Sequence, residues 1–128
     1  MPIITLTVQK PKSVQFKNVV LAAVHTALVA SGVPQADRFH RVLELDADDF
    51  RYDSQYPDLS AARDADFVLV EILLSVGRSV KIKKKIVSDI VGDLAASELH
   101  LNPENVMICF KETSWENWSF GGGRLIHT

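Results

Sequence analysis

Apolar and polar positions along this chain fall into a pattern that occurs twice. Ile3 to Val8 alternates with period two, which predicts a strand. Lys10-Pro11-Lys12-Ser13 breaks that pattern, and Ser13 suits the N-cap of a helix. Val14 to Ala30 is dense in Val, Ala and Leu, with Val20, Val24, Ala27 and Leu28 at helical spacing. A helix this apolar belongs against a sheet. Gly32 and Pro34 end it, and Phe39 to Leu45 reads as a second strand.

Between Asp46 and Asp66 the character changes. Asp46, Asp48, Asp49, Asp53, Asp58, Asp64 and Asp66 are interspersed with Tyr52, Tyr56 and Pro57. A calcium loop would need a glycine turn and a terminal Glu that this stretch lacks, so it reads as a surface connection.

The pattern then restarts. Phe67 to Leu74 is a third strand, apolar enough to be central, and Ser75-Val76-Gly77-Arg78-Ser79 is a second break. Val80 to Ala96 predicts a second helix, with Ile82, Ile86, Ile90 and Leu94 as a stripe that Val87 and Val91 widen. Lys81, Lys83, Lys84 and Lys85 on it read as a solvated face rather than a phosphate site. Asn102-Pro103 precedes a fourth strand, Asn105 to Phe110. A tail follows with Trp115, Trp118, Phe120 and three successive glycines, Gly121 to Gly123.

The two passes are in register: Lys12-Ser13-Val14-Gln15-Phe16-Lys17 parallels Arg78-Ser79-Val80-Lys81-Ile82-Lys83, and Pro34 parallels Pro103. A duplicated βαβ unit predicts an α+β fold, a four-stranded mixed sheet with both helices on one face. Residues 1–128 are expected to form one domain, with halves at about 1–45 and 67–110 and a C-terminal tail. The uncovered sheet face calls for a partner subunit, so an oligomer is expected.

Composition narrows the classes. With 47% apolar residues the chain can build a core and needs no staples. A net charge of −2 argues against nucleic acid as a partner. No apolar run reaches membrane-spanning length, so no membrane role is expected, and the N-terminus does not read as a signal peptide. The single cysteine, Cys109, rules out an intrachain disulfide framework and agrees with a cytoplasmic location. It lies mid-strand, which predicts a core thiol. His25, His40, His100 and His127 show no metal spacing, so no metal site is expected. Gly121-Gly122-Gly123 has no strand-to-helix context and is not a dinucleotide fingerprint.

The candidate chemistry begins at Pro2. Inside a chain proline carries no N–H and little reactivity. If Met1 is removed, Pro2 becomes a secondary amine at the mature terminus, held stiffly by its ring. A free α-amino group titrates near about 7.7–8.0, and a dry pocket or a neighbouring cation lowers that value. Such an amine serves as a base near neutrality, or as an acid if it stays cationic. If the first strands of the two halves pair antiparallel, Pro2 lies near the Gly77-Arg78 turn. Arg78 offers a planar fork for a carboxylate, in a place at a helix start where the dipole disfavours a cation. Asp37, just before the second strand, is either a turn residue or a group that orients water.

These features resemble the tautomerase superfamily, whose members use an amino-terminal proline, and within it the malonate semialdehyde decarboxylase group. Gly32-Val33-Pro34-Gln35-Ala36-Asp37-Arg38-Phe39 is similar to that group's Gly-Val-Pro-x-x-Asp-Arg-aromatic segment. Ser75-Val76-Gly77-Arg78-Ser79 is similar to its Ser-Arg-Pro-Arg-Ser segment, and Trp118-Ser119-Phe120-Gly121-Gly122-Gly123-Arg124 to its Trp-Ser-Phe-Gly-x-Gly-Arg tail. The resemblance implies Pro2 as catalytic amine, Asp37 as the carboxylate that positions water, and Arg78 as the binder of a substrate carboxylate. Trp118 and Phe120 would wall the pocket. It also implies the tautomerase fold, a homotrimer, no cofactor, and a small carboxylate-bearing oxo acid as substrate. One position departs: Val76 stands where the group has its first turn arginine. With one cation the expected reaction is keto–enol tautomerisation; decarboxylation or hydration is the alternative. A non-catalytic oligomeric binding module is a third reading, because the superfamily also includes a cytokine. It would hold if Met1 stays attached, since Pro2 nitrogen is then a tertiary amide.

Overall fold

In the computed structural model, residues 2–125 are described, so the state of Met1 lies outside the described residues. The elements are β1 (Ile3–Gln9), α1 (Val14–Ala30), β2 (Phe39–Leu45), β3 (Val68–Ser75), α2 (Val80–Ala96) and β4 (Val106–Thr113). Single 3-10 turns occupy Ala47–Asp49, Pro103–Asn105 and Trp115–Asn117. The sheet has the order β2-β1-β3-β4. Strands β1 and β2 are parallel, as are β3 and β4, and the two halves meet where β1 and β3 pair antiparallel. This is the duplicated βαβ arrangement that the sequence predicts.

Local chemistry sets the helix starts. The Ser13 hydroxyl accepts from Phe16 N–H at 3.0 Å and the Ser79 hydroxyl from Ile82 N–H at 3.2 Å. Each satisfies one of the donors that a helix start leaves orphaned. At the end of α1, Gly32 takes φ +113°, a conformation that excludes most side chains, and Val33 N–H closes onto Leu28 C=O at 3.1 Å.

The core lies between the sheet and the two helices. Ile4, Leu6 and Val8 of β1 and Val68, Val70, Ile72 and Leu74 of β3 are fully buried there. They meet Val20, Val24 and Leu28 of α1 and Ile86, Ile90 and Leu94 of α2. Each such side chain contributes roughly 1.5–3 kcal/mol on burial. Ile82, predicted as part of the α2 stripe, is instead 38% exposed, and the buried stripe begins one turn later at Ile86. Lys83 pairs with Glu112 at 2.7 Å and Lys85 with Asp89 at 2.6 Å, so the basic run is a solvated, paired face.

Five strand ends differ from the pattern: β1 and β3 each run one residue further, to Gln9 and Ser75, and three other ends shift as follows. Phe67 falls just outside β3 and stacks on Phe50 and Tyr52 of the long connection. Asn105 belongs to a 3-10 turn, where its buried side chain donates to Asp64 at 2.9 Å. Strand β4 continues through polar Lys111-Glu112-Thr113, because Leu73, Leu74 and Ser75 of β3 supply ladder partners that hydropathy does not reveal. The core-thiol expectation for Cys109 also fails: the residue is exposed. Its side chain faces away from the helices, where Phe39, Leu43 and Met107 are exposed as well.

Candidate active site

The topology brings four chain ends to one edge of the sheet. Ile3 at the start of β1 lies between Phe39, the first residue of β2, and Leu73, near the end of β3. The last residues of β3 and β4, Ser75 and Thr113, are paired beside them. Pro2 immediately precedes Ile3 and is buried. The turn that carries Asp37 leads into β2, with Asp37 N–H donating to Pro34 C=O at 3.0 Å and Arg38 N–H to Ala36 C=O at 2.9 Å. Asp37 is half-buried.

Arg78 lies on the turn that leaves β3. Val76 N–H donates to Thr113 C=O at 3.0 Å, which anchors the turn to β4. Gly77 then adopts φ +124°, a value that favours glycine, and Arg78 follows, half-buried, one residue before the N-cap of α2. The exposed free amides at that helix start and the Arg78 guanidinium are both suited to a carboxylate. Val76 is 43% exposed and contributes apolar surface only.

The tail crosses the same edge. Trp118 is buried, and its ring meets Phe120 edge-on at 5.6 Å between centroids. Phe120 in turn lies 5.5 Å from Phe39. A continuous aromatic wall therefore runs from the tail to the strand beside Pro2. The triple glycine allows the chain to double back after Phe120. Gly122 has φ +66°, and a Cβ there would collide with the Arg124 guanidinium.

All five residues singled out in the sequence, Pro2, Asp37, Arg78, Trp118 and Phe120, thus belong to segments that meet at this edge. Sequence reasoning missed Phe39 as part of the wall; its place at a strand start beside Pro2 is visible only once the register is known. It also missed two buried polar atoms. Ser75 Oγ and Trp118 Nε1 have no hydrogen-bond partner among the described residues. Leaving such a group unpaired costs about 1–3 kcal/mol, and functional sites are where such groups persist. Among the described residues no three His, Cys, Asp or Glu side chains group to hold a metal ion.

A family model described as "Tautomerase enzyme" matches residues 37–121. The chain belongs to the tautomerase family. That match begins at Asp37, so the assignment stands independently of Pro2. This tautomerase is 26% identical over 125 residues to the probable tautomerase YusQ of Bacillus subtilis (strain 168), covering 97% of this chain and 96% of that one. It superposes on a malonate semialdehyde decarboxylase with a TM-score of 0.85 and 25% identity, over 96% of this chain and 93% of the other. That relative was studied for decarboxylase and hydratase activities, and also with its first residue, a proline, replaced by alanine. A fused 4-OT, solved as a symmetric trimer, shares the fold at a TM-score of 0.74 and 21% identity, covering 96% and 94% of the two chains. The chain is thus an enzyme of the tautomerase superfamily in its malonate semialdehyde decarboxylase-like group.

Proposed function

We propose that this tautomerase interconverts the keto and enol forms of a small oxo acid without a cofactor, using Pro2 after removal of Met1. The observation that carries the reading is the register: Ile3 sits between Phe39 and Leu73, so the first residue of the mature chain falls between the Asp37 and Arg78 turns. Arg78 holds the substrate carboxylate. The Pro2 amine removes the proton α to the carbonyl, and the C–H electron pair moves onto the carbonyl oxygen as an enolate. Arg78 and the α2 amides steady that charge. The proton returns from Pro2 to oxygen to give the enol, and the reverse sequence gives the keto form. Trp118, Phe120, Phe39 and Val76 exclude water, which strengthens each of these interactions.

Decarboxylation or hydration, with Pro2 cationic as acid and Asp37 positioning water, is the second reading, favoured by the similarity to malonate semialdehyde decarboxylase. A single turn cation argues against it as the main reaction: one charged hydrogen bond is worth about 1.5–3 kcal/mol, or roughly ten- to a hundredfold in affinity. The working unit is a cytoplasmic homotrimer. The sheet face opposite the helices supports this, since it exposes Phe39, Leu43 and Met107 and a fold relative is a symmetric trimer.

Intact mass and turnover of the same preparation test the proposal. Expected are loss of Met1 and turnover of phenylpyruvate enol faster than of malonate semialdehyde, with Pro2→Ala abolishing both. Faster loss of malonate semialdehyde would give the second reading. Full retention of Met1 in native protein, with no turnover, would leave a non-catalytic binding module.

A further inference from the structure

The repeat itself exposes a second site. A cavity of about 330 Å³ opens between α1 and the edge strand β2. Its polar lining is Asn18, His25, Thr26, Gln35, Arg38 and His40, and no carboxylate is among its lining residues. His25 is 4% exposed, and its Nε2–H donates to Gln35 C=O at 2.9 Å. Its Nδ1 has no partner among the described residues. His40 stands edge-on to it at 5.4 Å between ring centroids. Among the described residues the Arg38 guanidinium has no ion-pair partner.

The fold does not ask for these residues. Helices α1 and α2 correspond at an offset of 66 residues, and β2 and β4 at an offset of 68, as the strand registers and the matching Lys17–Glu44 and Lys83–Glu112 pairs show. At those offsets His25 corresponds to Val91, Arg38 to Val106 and His40 to Ile108. The second half therefore closes the same seam with three aliphatic side chains, all half-buried. His25 is buried in that seam with Nδ1 unpaired among the described residues, which is costly, while His40 is half-buried and Arg38 lies exposed at the mouth. Burial, and then the nearby His25 and Arg38, hold the His40 imidazole below its ordinary titration range.

We infer that the α1–β2 cavity is a binding site for a small oxyanion, a phosphate or a carboxylate, held by Arg38 with His40, Asn18 and Thr26 as donors, and with His25 Nδ1, bare while Nε2–H is given to Gln35, taking up a proton as the anion binds. It is distinct from the Pro2 edge, because its lining faces the helix side of the sheet. It is also coupled to that edge by the chain, since Arg38 follows Asp37 directly. An occupant that fixes Arg38 also fixes the turn that carries Asp37.

Histidine ring resonances of the full-length protein test this. The protein is titrated with inorganic phosphate, and separately with malonate, at constant ionic strength maintained with chloride. Expected is a saturable shift of the His25 and His40 signals with at least one probe below about 20 mM, the range of a weak but specific site, while His100 stays put. Saturation by phosphate alone, malonate alone or both identifies the source of the anion. Arg38→Met should weaken the binding at least about tenfold, the loss of one charged hydrogen bond, and Arg78→Ala should leave it unchanged. If Arg38→Met fails to fold, His40→Gln takes its place, with weaker binding again expected. No saturable shift with either probe overturns the inference, as does binding undiminished in Arg38→Met. Loss of the shifts in Arg78→Ala also overturns it, by placing the anion at the Pro2 edge.

Discussion

Among the described residues, the contact between Phe39 and Phe120 joins the tail wall to the strand beside Pro2 by ring packing. Phe39 is 48% and Phe120 46% exposed, so each hides about half of its surface. Half of a full burial contribution is about 1 kcal/mol, and an aromatic pair in tilted contact adds about 0.5–1.5 kcal/mol. Each single alanine substitution is therefore expected to lower stability by about 1.5–2.5 kcal/mol. The pair in a double-mutant cycle should show a coupling of about 0.5–1.5 kcal/mol. Urea unfolding of the wild type, Phe39→Ala, Phe120→Ala and the double variant, at one protein concentration, measures this. Because Phe120 also stacks edge-on against Trp118, Phe120→Ala should red-shift the tryptophan emission, whereas Phe39→Ala should do so less. Turnover should fall in both variants, since the wall that excludes water is opened. Additivity within about 0.3 kcal/mol, with unchanged emission and turnover, would refute the idea that the tail completes the site.

Three further outcomes follow from the same geometry. Arg78→Ala should reduce kcat/KM on carboxylate substrates by roughly ten- to a hundredfold, the value of one charged hydrogen bond; Arg78→Lys should recover only part, because an ammonium lacks the planar fork. Ile72→Ala in the central strand, at 0% exposure, should cost about 2–5 kcal/mol in denaturant unfolding. The Lys17 ammonium, with a further hydrogen bond from Lys12 N–H, holds the Glu44 carboxyl below its ordinary value of 4.5. A depressed folded-state value means that Glu44 stabilises the fold above its unfolded value and loses that contribution as pH falls through the folded one. Glu44→Gln should therefore be less stable than wild type at neutral pH. The difference should vanish on acidification below pH 4.5; a difference constant with pH would contradict it.

Much of the architecture is legible along the chain because it rests on local physics. The period-two run at Ile3, the two Ser caps and the paired breaks at Pro34 and Pro103 give strands, helices and their order without tertiary knowledge. The duplication fixes the rest of the topology, since a βαβ unit has one hand and two copies must share a sheet. Arg78 stands out as a cation at a helix start and Pro2 as an amine once Met1 is removed, whereas Asp37, Trp118 and Phe120 are picked out by the family resemblance of the segments that carry them. Where local pattern and pairing compete, the sequence misleads. Lys111 to Thr113 extend β4 through backbone hydrogen bonds to β3, and Cys109 is exposed because its strand position alternates outward.

What only the tertiary structure decides is adjacency across the sheet. Register is a property of pairs of strands, and no single strand carries it; a slip of one residue would turn every side chain to the opposite face. The placement of Phe39 against Phe120, and of Ile3 between Phe39 and Leu73, is therefore invisible in the chain. So is the meeting of His25, Arg38 and His40, which lie on α1, on the turn before β2 and on β2, and converge only when the helix lies down on the strand. The sequence by itself determines which elements form and which residues are chemically out of place. The folded sheet decides which of those residues meet, because that depends on contacts between segments far apart along the chain.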